Sequence, residues 1–356
     1  MTAISFSLGS REIGGASPPF VIAEAGVNHN GDLETALRLV DAAVEAGADA
    51  VKFQTFNARS LTTVAAERAA YQRIRSGAGS QLEMLRSLEL DRDDWVRLVA
   101  YSRGAGIMFL STPFDAASVE LLGAIGVPAL KIGSGDLTNA LLLRVVGAQS
   151  LPVILSTGMG TLGDVEAAVQ ELIRAGTDRI ALLHCTSAYP AELSDLNLRA
   201  MDALRARFHR PVGLSDHSQG SLAAVAAVAR DAAVIEKHLT LDRGMPGPDH
   251  DASLDPRGFK VMVDEIHDVW NALGDGSKHP RLAELDTMRA ARRSLVAARA
   301  LPAGHVLEPE DLEAKRPGTG ISPMRIDAVL GRSLAADVEA EQILDPGDLR
   351  PVLEDS

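Results

Sequence analysis

Eight short apolar, β-branched runs recur between Phe20 and about Leu273, each followed by a stretch with helical spacing, and few folds accept that alternation. The runs are FVIAEAG (20–26), AVKFQTF (50–56), IMFLSTP (107–113), ALKIGSG (129–135), PVILSTG (152–158), IALLHCT (180–186), PVGLSDH (211–217) and VIEKHLT (234–240). Between them, Leu33, Leu37, Val40 and Val44 fall on one helical stripe, as do Val165, Ala168, Val169, Leu172 and Ile173. Phe259, Met262, Val263, Ile266, Trp270 and Leu273 make the clearest apolar face, with Gly274 placed to stop that helix. Eight strand–helix units over roughly 250 residues predict an α/β fold of the (β/α)8 type, with its active site at the C-terminal strand ends. An open doubly wound sheet would present G-x-G-x-x-G after its first strand, and EAGVNHNG lacks that spacing.

The predicted barrel occupies 1–277, and a polar stretch at 278–289 reads as a linker. Residues 290–356 differ in kind. Short apolar pieces (SLVAARAL, HVLEPEDL, SLAADVEAEQIL) are broken by Pro302-Ala303-Gly304, Pro317-Gly318 and Pro346-Gly347. At under about 70 residues, such an irregular domain needs a partner surface.

Charge and cysteine content narrow the function. With 48 acidic against 35 basic residues and a net charge of −13, the chain offers no broad cationic face for nucleic acid. Any anionic ligand must be held by a few local cations. A single cysteine, Cys185, rules out an internal disulfide framework and any multi-cysteine metal site, and fits a reducing compartment. No basic start followed by an apolar run marks a secretion signal, and no window holds about 20 uncharged apolar residues. The expectation is a cytoplasmic protein without a membrane partner.

Barrel strands fill their interior with Val, Ile and Leu, so charges inside the strand patterns need a reason. Glu24 lies late in the first run, Lys52 and Gln54 alternate in the second, Lys131 sits in the fourth, and Glu236 and His238 alternate in the eighth. The two-residue period puts Lys52 with Gln54, and Glu236 with His238, on common sides. A single buried Lys–Glu pair has a structural explanation as readily as a functional one. Five or six such groups converging on one rim read as a site. Hydroxyls follow the same geography: Ser111, Thr112, Ser134, Ser156, Thr157, Thr186, Ser187 and Ser215 stand at strand ends. Each alone suits a helix N-cap. With Gly133, Gly135, Gly158 and Gly160 beside Lys52 and Lys131, they resemble an anion nest for phosphate or carboxylate.

Of nine histidines, His209, His267, His279 and His305 lie in polar contexts, whereas His217 and His238 end adjacent runs and can face one point. Two imidazoles near Glu24, Glu236 or Asp249 suit a divalent ion such as Mn²⁺ or Mg²⁺, and equally suit hydrogen-bonded catalytic or core histidines. Cys185, inside an apolar run, reads as core filler.

In order along the chain, FVIAEAGVNHNGD, AVKFQTF, FLSTPFD, LKIGSGDLTN, PVILSTGM, LLHCTSAYP, GLSDHSQG, IEKHLTLDR and GPDHDASLDP resemble the sialic acid synthase family. RRSLVAARALPAGHVLEPEDLEAKRPGTGISP is similar to the antifreeze-like (SAF) domain of those enzymes. The resemblance spans about 20 to 350. It implies a TIM barrel followed by a SAF domain, in a homodimer whose small domain caps the partner's barrel. It also implies a metal-dependent transferase that condenses phosphoenolpyruvate with an open-chain N-acetylated amino-sugar aldehyde. N-acetylmannosamine comes first as substrate, with 2,4-diacetamido-2,4,6-trideoxy sugars (legionaminic or pseudaminic acid synthesis) as the alternative. GPDHDASL leans toward N-acetylneuraminate or legionaminate. A Schiff-base aldolase using Lys131, or a non-catalytic binding protein, are more distant readings.

Carried over by motif, His217 in SDH and His238 in EKH would hold the ion, Mn²⁺ first and Mg²⁺ or Co²⁺ next. Lys52, Thr112, Lys131, Ser134, Ser156, Ser187 and Ser215 would bind phosphoenolpyruvate. Gln54, Tyr189 and Asp249 would face the sugar, and Arg316 would reach toward its N-acetyl group from the neighbouring subunit. Glu24, then Glu236, would take the proton of the attacking water. Two departures from the family pattern stand out. Ser187 replaces an Asn that some members carry. AAERAAY (65–71) replaces an NAPKAEY-like loop, with Ala65 in place of Asn.

Overall fold

The computed structural model describes residues 5–68 and 79–351 and divides the chain into two compact units, Met1–Gly274 and Asp275–Ser356. The first opens with an antiparallel hairpin, β1 (Ser5–Leu8) and β2 (Arg11–Gly14), which the strand count did not anticipate. Then come β3 (Phe20–Gly26), β4 (Ala50–Thr55), β5 (Met108–Pro113), β6 (Leu130–Ile132), β7 (Val153–Ser156), β8 (Ile180–Cys185), β9 (Val212–Asp216) and β10 (Val234–His238). All eight predicted runs are strands, in one sheet ordered β5-β4-β3-β10-β9-β8-β7-β6 with parallel ladders. The result is a nearly closed eight-stranded barrel whose seam lies between β5 and β6.

Alternation along these strands divides the barrel interior into two levels. Phe20, Ile22, Ala50, Leu110, Ala129, Ile154, Ala181, Leu183 and Val234 form an apolar lower plug, with Leu8 and Ile13 of the hairpin packed into the same cluster. Two residues further along each strand the same face turns polar. Gly213 is required at the waist, because a Cβ there would come within 2.1 Å of the Val234 carbonyl oxygen.

The outer faces of the strands pack on the helices. Helix Leu33–Glu45 starts where the Asp32 side chain accepts from Thr35 N, and it buries Ala36, Leu39, Val40 and Ala43. That face is turned from the predicted stripe: Val44 is exposed, and Leu33 and Leu37 pack only at the flank. Small alanines let this helix sit close to the sheet, a signal that counting large apolar residues overlooks. Helix Pro256–Leu273 buries Phe259, Met262, Val263 and Ile266 as predicted. Among the described residues, no helix is long and apolar enough to cross a membrane.

In the second unit, part of the expected linker forms a 3₁₀ turn (Leu282–Glu284) and the start of a helix (Leu285–Ala291). Strands β11 (Ser294–Ala297) and β12 (Leu312–Lys315) pair antiparallel, and the core gathers Leu295, Leu301, Leu307, Ile321, Val329, Leu334, Val338, Leu344 and Leu349.

Candidate active site

The polar upper level of the barrel is a set of paired charges. Lys52 on β4 reaches sideways in both directions: its Nζ donates to Thr112 Oγ1 on β5 at 2.8 Å and lies 2.6 Å from Glu24 Oε2 on β3. Lys131 on β6 donates to Ser156 Oγ on β7 at 2.6 Å and stands 3.5 Å from Glu236 Oε1 on β10. Ser215 Oγ donates to that same Glu236 oxygen at 3.0 Å, and Glu236 Oε2 lies 3.8 Å from Lys52 Nζ. All of these side chains are buried. Two amines and two carboxyl groups therefore share one buried mouth.

Burial acts on these groups unequally. It pushes Glu24 from the ordinary 4.5 up to about 7, against the opposing pull of Lys52. Burial also raises Glu236, but Lys131, Lys52 and the Ser215 hydrogen bond outweigh it and leave that carboxyl below its ordinary range. Two carboxyls in one site are thus pushed apart, one poised to exchange a proton near neutrality and the other held as an anion. Burial lowers Lys131 from its ordinary range.

Two glycines come close to polar side chains of this mouth. A Cβ on Gly158 would stand 2.4 Å from Ser187 Oγ and 2.7 Å from Ser134 Oγ, so two hydroxyls close on a bare backbone, and Ser134 Oγ accepts from Gly158 N at 3.0 Å. This brings together Gly158, Ser134 and Ser187 of the predicted anion nest. A Cβ on Gly26, whose φ is +53°, would meet Glu24 Oε1 at 3.2 Å, Gln54 Nε2 at 3.3 Å and Asp249 Oδ2 at 3.7 Å. Gln54 Nε2 donates to Glu24 Oε1 at 3.2 Å. Burial raises Asp249 to about 6.

His217 and His238 meet at the same end, ring centroids 5.4 Å apart, with the Tyr189 ring 4.2 Å from His217 and 6.0 Å from His238. His217 Nδ1 donates to the Thr186 carbonyl at 2.9 Å, so in the neutral ring Nε2 carries the lone pair. His238 Nδ1 is buried without a hydrogen-bond partner, 3.9 Å from Asp249 Oδ2. Among the described residues no three His, Cys, Asp or Glu side chains form a ready metal cage. An orphaned imidazole nitrogen on one of two neighbouring imidazoles nonetheless fits a divalent ion that keeps open positions.

Arg316 is exposed in the second unit. Ala65 is also exposed, and Tyr71, the end of the departing loop, lies outside the described residues. Cys185 corrects the sequence reading in part. It is buried, yet its Sγ lies 3.7 Å from His217 Nδ1 and 3.8 Å from Ser187 Oγ, so it lines the polar level rather than the apolar plug. Sequence reasoning missed Asn28, whose Nδ2 donates to the Leu239 carbonyl at 2.9 Å and Ser253 Oγ at 3.0 Å, joining the loops after β3 and β10. It also missed Asp216 and Lys237, a buried pair on the outer face. The charge of Lys237 inside an apolar run was the available signal.

Known proteins resemble the chain over most of its length. The NeuB family profile matches residues 39–278, and the SAF domain profile matches 292–350. The chain is 45% identical to the N,N'-diacetyllegionaminic acid synthase of Legionella pneumophila, covering 93% of this chain and 96% of that one. It is 42% identical to the enzyme of the same name from Campylobacter jejuni, covering 91% and 98%. Among solved structures, the N-acetylneuraminic acid (sialic acid) synthetase of Leptospira borgpetersenii, in complex with citrate, superposes with a TM-score of 0.72 at 35% identity. That match covers 81% of this chain and 96% of the other.

Proposed function

Since the chain belongs to the NeuB family, we propose that it joins phosphoenolpyruvate to the open-chain aldehyde of an N-acetylated amino sugar, forming a nine-carbon 2-keto acid and releasing phosphate. The observation that carries this reading is the pairing of Lys52 with Glu24 and Lys131 with Glu236 at one barrel mouth, with Glu24 raised to about 7. For the sugar, the relatives favour a 2,4-diacetamido-2,4,6-trideoxyhexose, giving a legionaminic-type acid. This displaces N-acetylmannosamine, which the sequence put first, because identity is 45% and 42% to legionaminic acid synthases and 35% to a sialic acid synthetase.

Lys131, Ser134, Ser156 and Ser187 hold the phosphate, and Lys52 with Thr112 holds the carboxylate. Both anions are fixed so that C3 of the enol phosphate faces the aldehyde carbon, and such positioning can supply much of the rate. Gln54, Tyr189 and Asp249 orient the sugar. As the new C3–C1 bond forms, the aldehyde oxygen takes a proton from solvent and C2 becomes electron-poor. Water adds to C2, and Glu24 takes its proton. The resulting hemiketal phosphate breaks its C–O bond, releasing phosphate and leaving the C2 ketone. His217 and His238 would hold a divalent ion, Mn²⁺ first, which when bound polarises the aldehyde oxygen as a Lewis acid.

We also propose a homodimer. Leu141, Met159, Leu162, Leu193 and Leu222, which follow the C-terminal ends of β6 to β9, are exposed apolar side chains on the rim, as expected of a surface that a second copy covers. The partner subunit's Arg316 would then face the N-acetyl group.

The decisive assay is phosphate release from phosphoenolpyruvate with Mn²⁺, across N-acetylmannosamine and the two diacetamido sugars that lead to legionaminic and pseudaminic acids. Release with the legionaminic precursor well above the other two supports the proposal. Release without any sugar, or borohydride trapping on Lys131, would overturn it.

A further inference from the structure

His217 and His238 sit on the inner face, and directly behind them, on the outer face, lies a second buried charge cluster that the chemistry above leaves unused. Lys237 Nζ is 2.8 Å from Asp216 Oδ2 and also donates to the Ser218 carbonyl. Asp216 Oδ1 in turn accepts from Ser218 N at 2.8 Å and Ser218 Oγ at 2.7 Å. Lys237 and Ser218 are fully buried and Asp216 is 1% exposed. A dry ion pair of this kind adds little net stability over apolar residues of similar volume, so its presence calls for another reason.

Its position supplies one. Lys237 and Asp216 are register partners across β10 and β9, and each precedes one of the two histidines in the chain. The residue after His217 is held at both its amide and its carbonyl by this one pair. The backbone on either side of His217 is therefore fixed from outside the barrel, and the ladder carries that constraint to His238.

We propose that Asp216 and Lys237 are positioning residues, a lock on the outer face that sets the orientation of the His217 and His238 imidazoles for a divalent cation. The inference rests on the reading of those two imidazoles as the cation's ligands, and hydrogen-bonded supports of metal ligands typically change affinity roughly 10–100-fold.

The test uses the full chain stripped of metal. Lys237→Met alone leaves Asp216 as an unpaired buried charge and endangers folding, so the informative variant is the paired replacement Asp216→Leu with Lys237→Met, which removes both charges. Two quantities are read in variants that melt as cooperatively as wild type: Mn²⁺ affinity by calorimetry, and imidazole tautomers by nitrogen-15 NMR of labelled histidine. The expected result is Mn²⁺ affinity lower by about 10–100-fold, loss of the fixed His217 Nδ1–H tautomer, and an unchanged KM for phosphoenolpyruvate. A folded double variant that keeps both the tautomer and the Mn²⁺ affinity overturns the lock. If wild type itself takes up no Mn²⁺ while the variant still loses the fixed tautomer, the cation reading fails and the lock stands. Failure of the double variant to fold, with Asp216→Asn preserving tautomer and affinity, also overturns it.

Discussion

Glu24→Gln is the sharpest test of the chemistry. The substitution keeps shape and imitates the protonated carboxyl, so Gln54 and Gly26 can keep their places beside it. Raising Glu24 from 4.5 to about 7 corresponds to on the order of 3 kcal/mol of preference for its neutral form in the folded protein. Because its folded value is raised, the contribution to stability is fully present below pH 4.5 and is lost as pH climbs through about 7. Wild type should therefore lose stability relative to Glu24→Gln between about pH 4.5 and 7, read from melting temperatures across that window. In catalysis the ionised form is the base, so wild-type kcat/KM should rise with pH through about 7. In the variant this limb should vanish and kcat should fall by roughly 10²–10⁴-fold, with KM for phosphoenolpyruvate little changed. Phosphate release measured from pH 5.5 to 8.5 checks both. A limb near 7 that survives in the variant, or a kcat within about ten-fold of wild type, would remove Glu24 from proton transfer.

Gly158→Ala should raise KM for phosphoenolpyruvate, since the new methyl group would stand 2.4 Å from Ser187 Oγ, 2.7 Å from Ser134 Oγ and 3.1 Å from Ser134 Cβ and must push those side chains off the anion. Steady-state kinetics with a parallel melting curve will show it, and an unchanged KM would place the phosphate elsewhere. His238→Ala should weaken Mn²⁺ binding to the stripped enzyme by more than the roughly 10–100-fold that loss of a supporting hydrogen bond costs. Calorimetry checks this, and undiminished binding removes His238 from the ligand set.

Much of this protein is legible along the chain, because a two-residue period is local information. It sorts Ile22 from Ala23 and Lys52 from Val51 without knowledge of any other strand, and it repeats eight times. It also explains why Glu24, Lys131, Glu236 and His238 were visible as a group: a charge in an apolar alternation is conspicuous wherever it occurs. The hairpin plugging the barrel floor and the rotated face of helix Leu33–Glu45 escaped that reading, since their signals were small residues and a turn.

Only tertiary structure decided which charges meet. Lys52 could have paired with any acid, and its choice of Glu24 and Thr112 follows from β3 and β5 flanking β4. Cys185 turned out to face His217, and Lys237 to pair outward with Asp216, for the same reason. The raised proton affinity of Glu24 is likewise a property of the assembled mouth. Burial and Coulomb energy depend on separations of a few ångströms between residues tens to hundreds of positions apart, and those separations come into being only when the barrel closes.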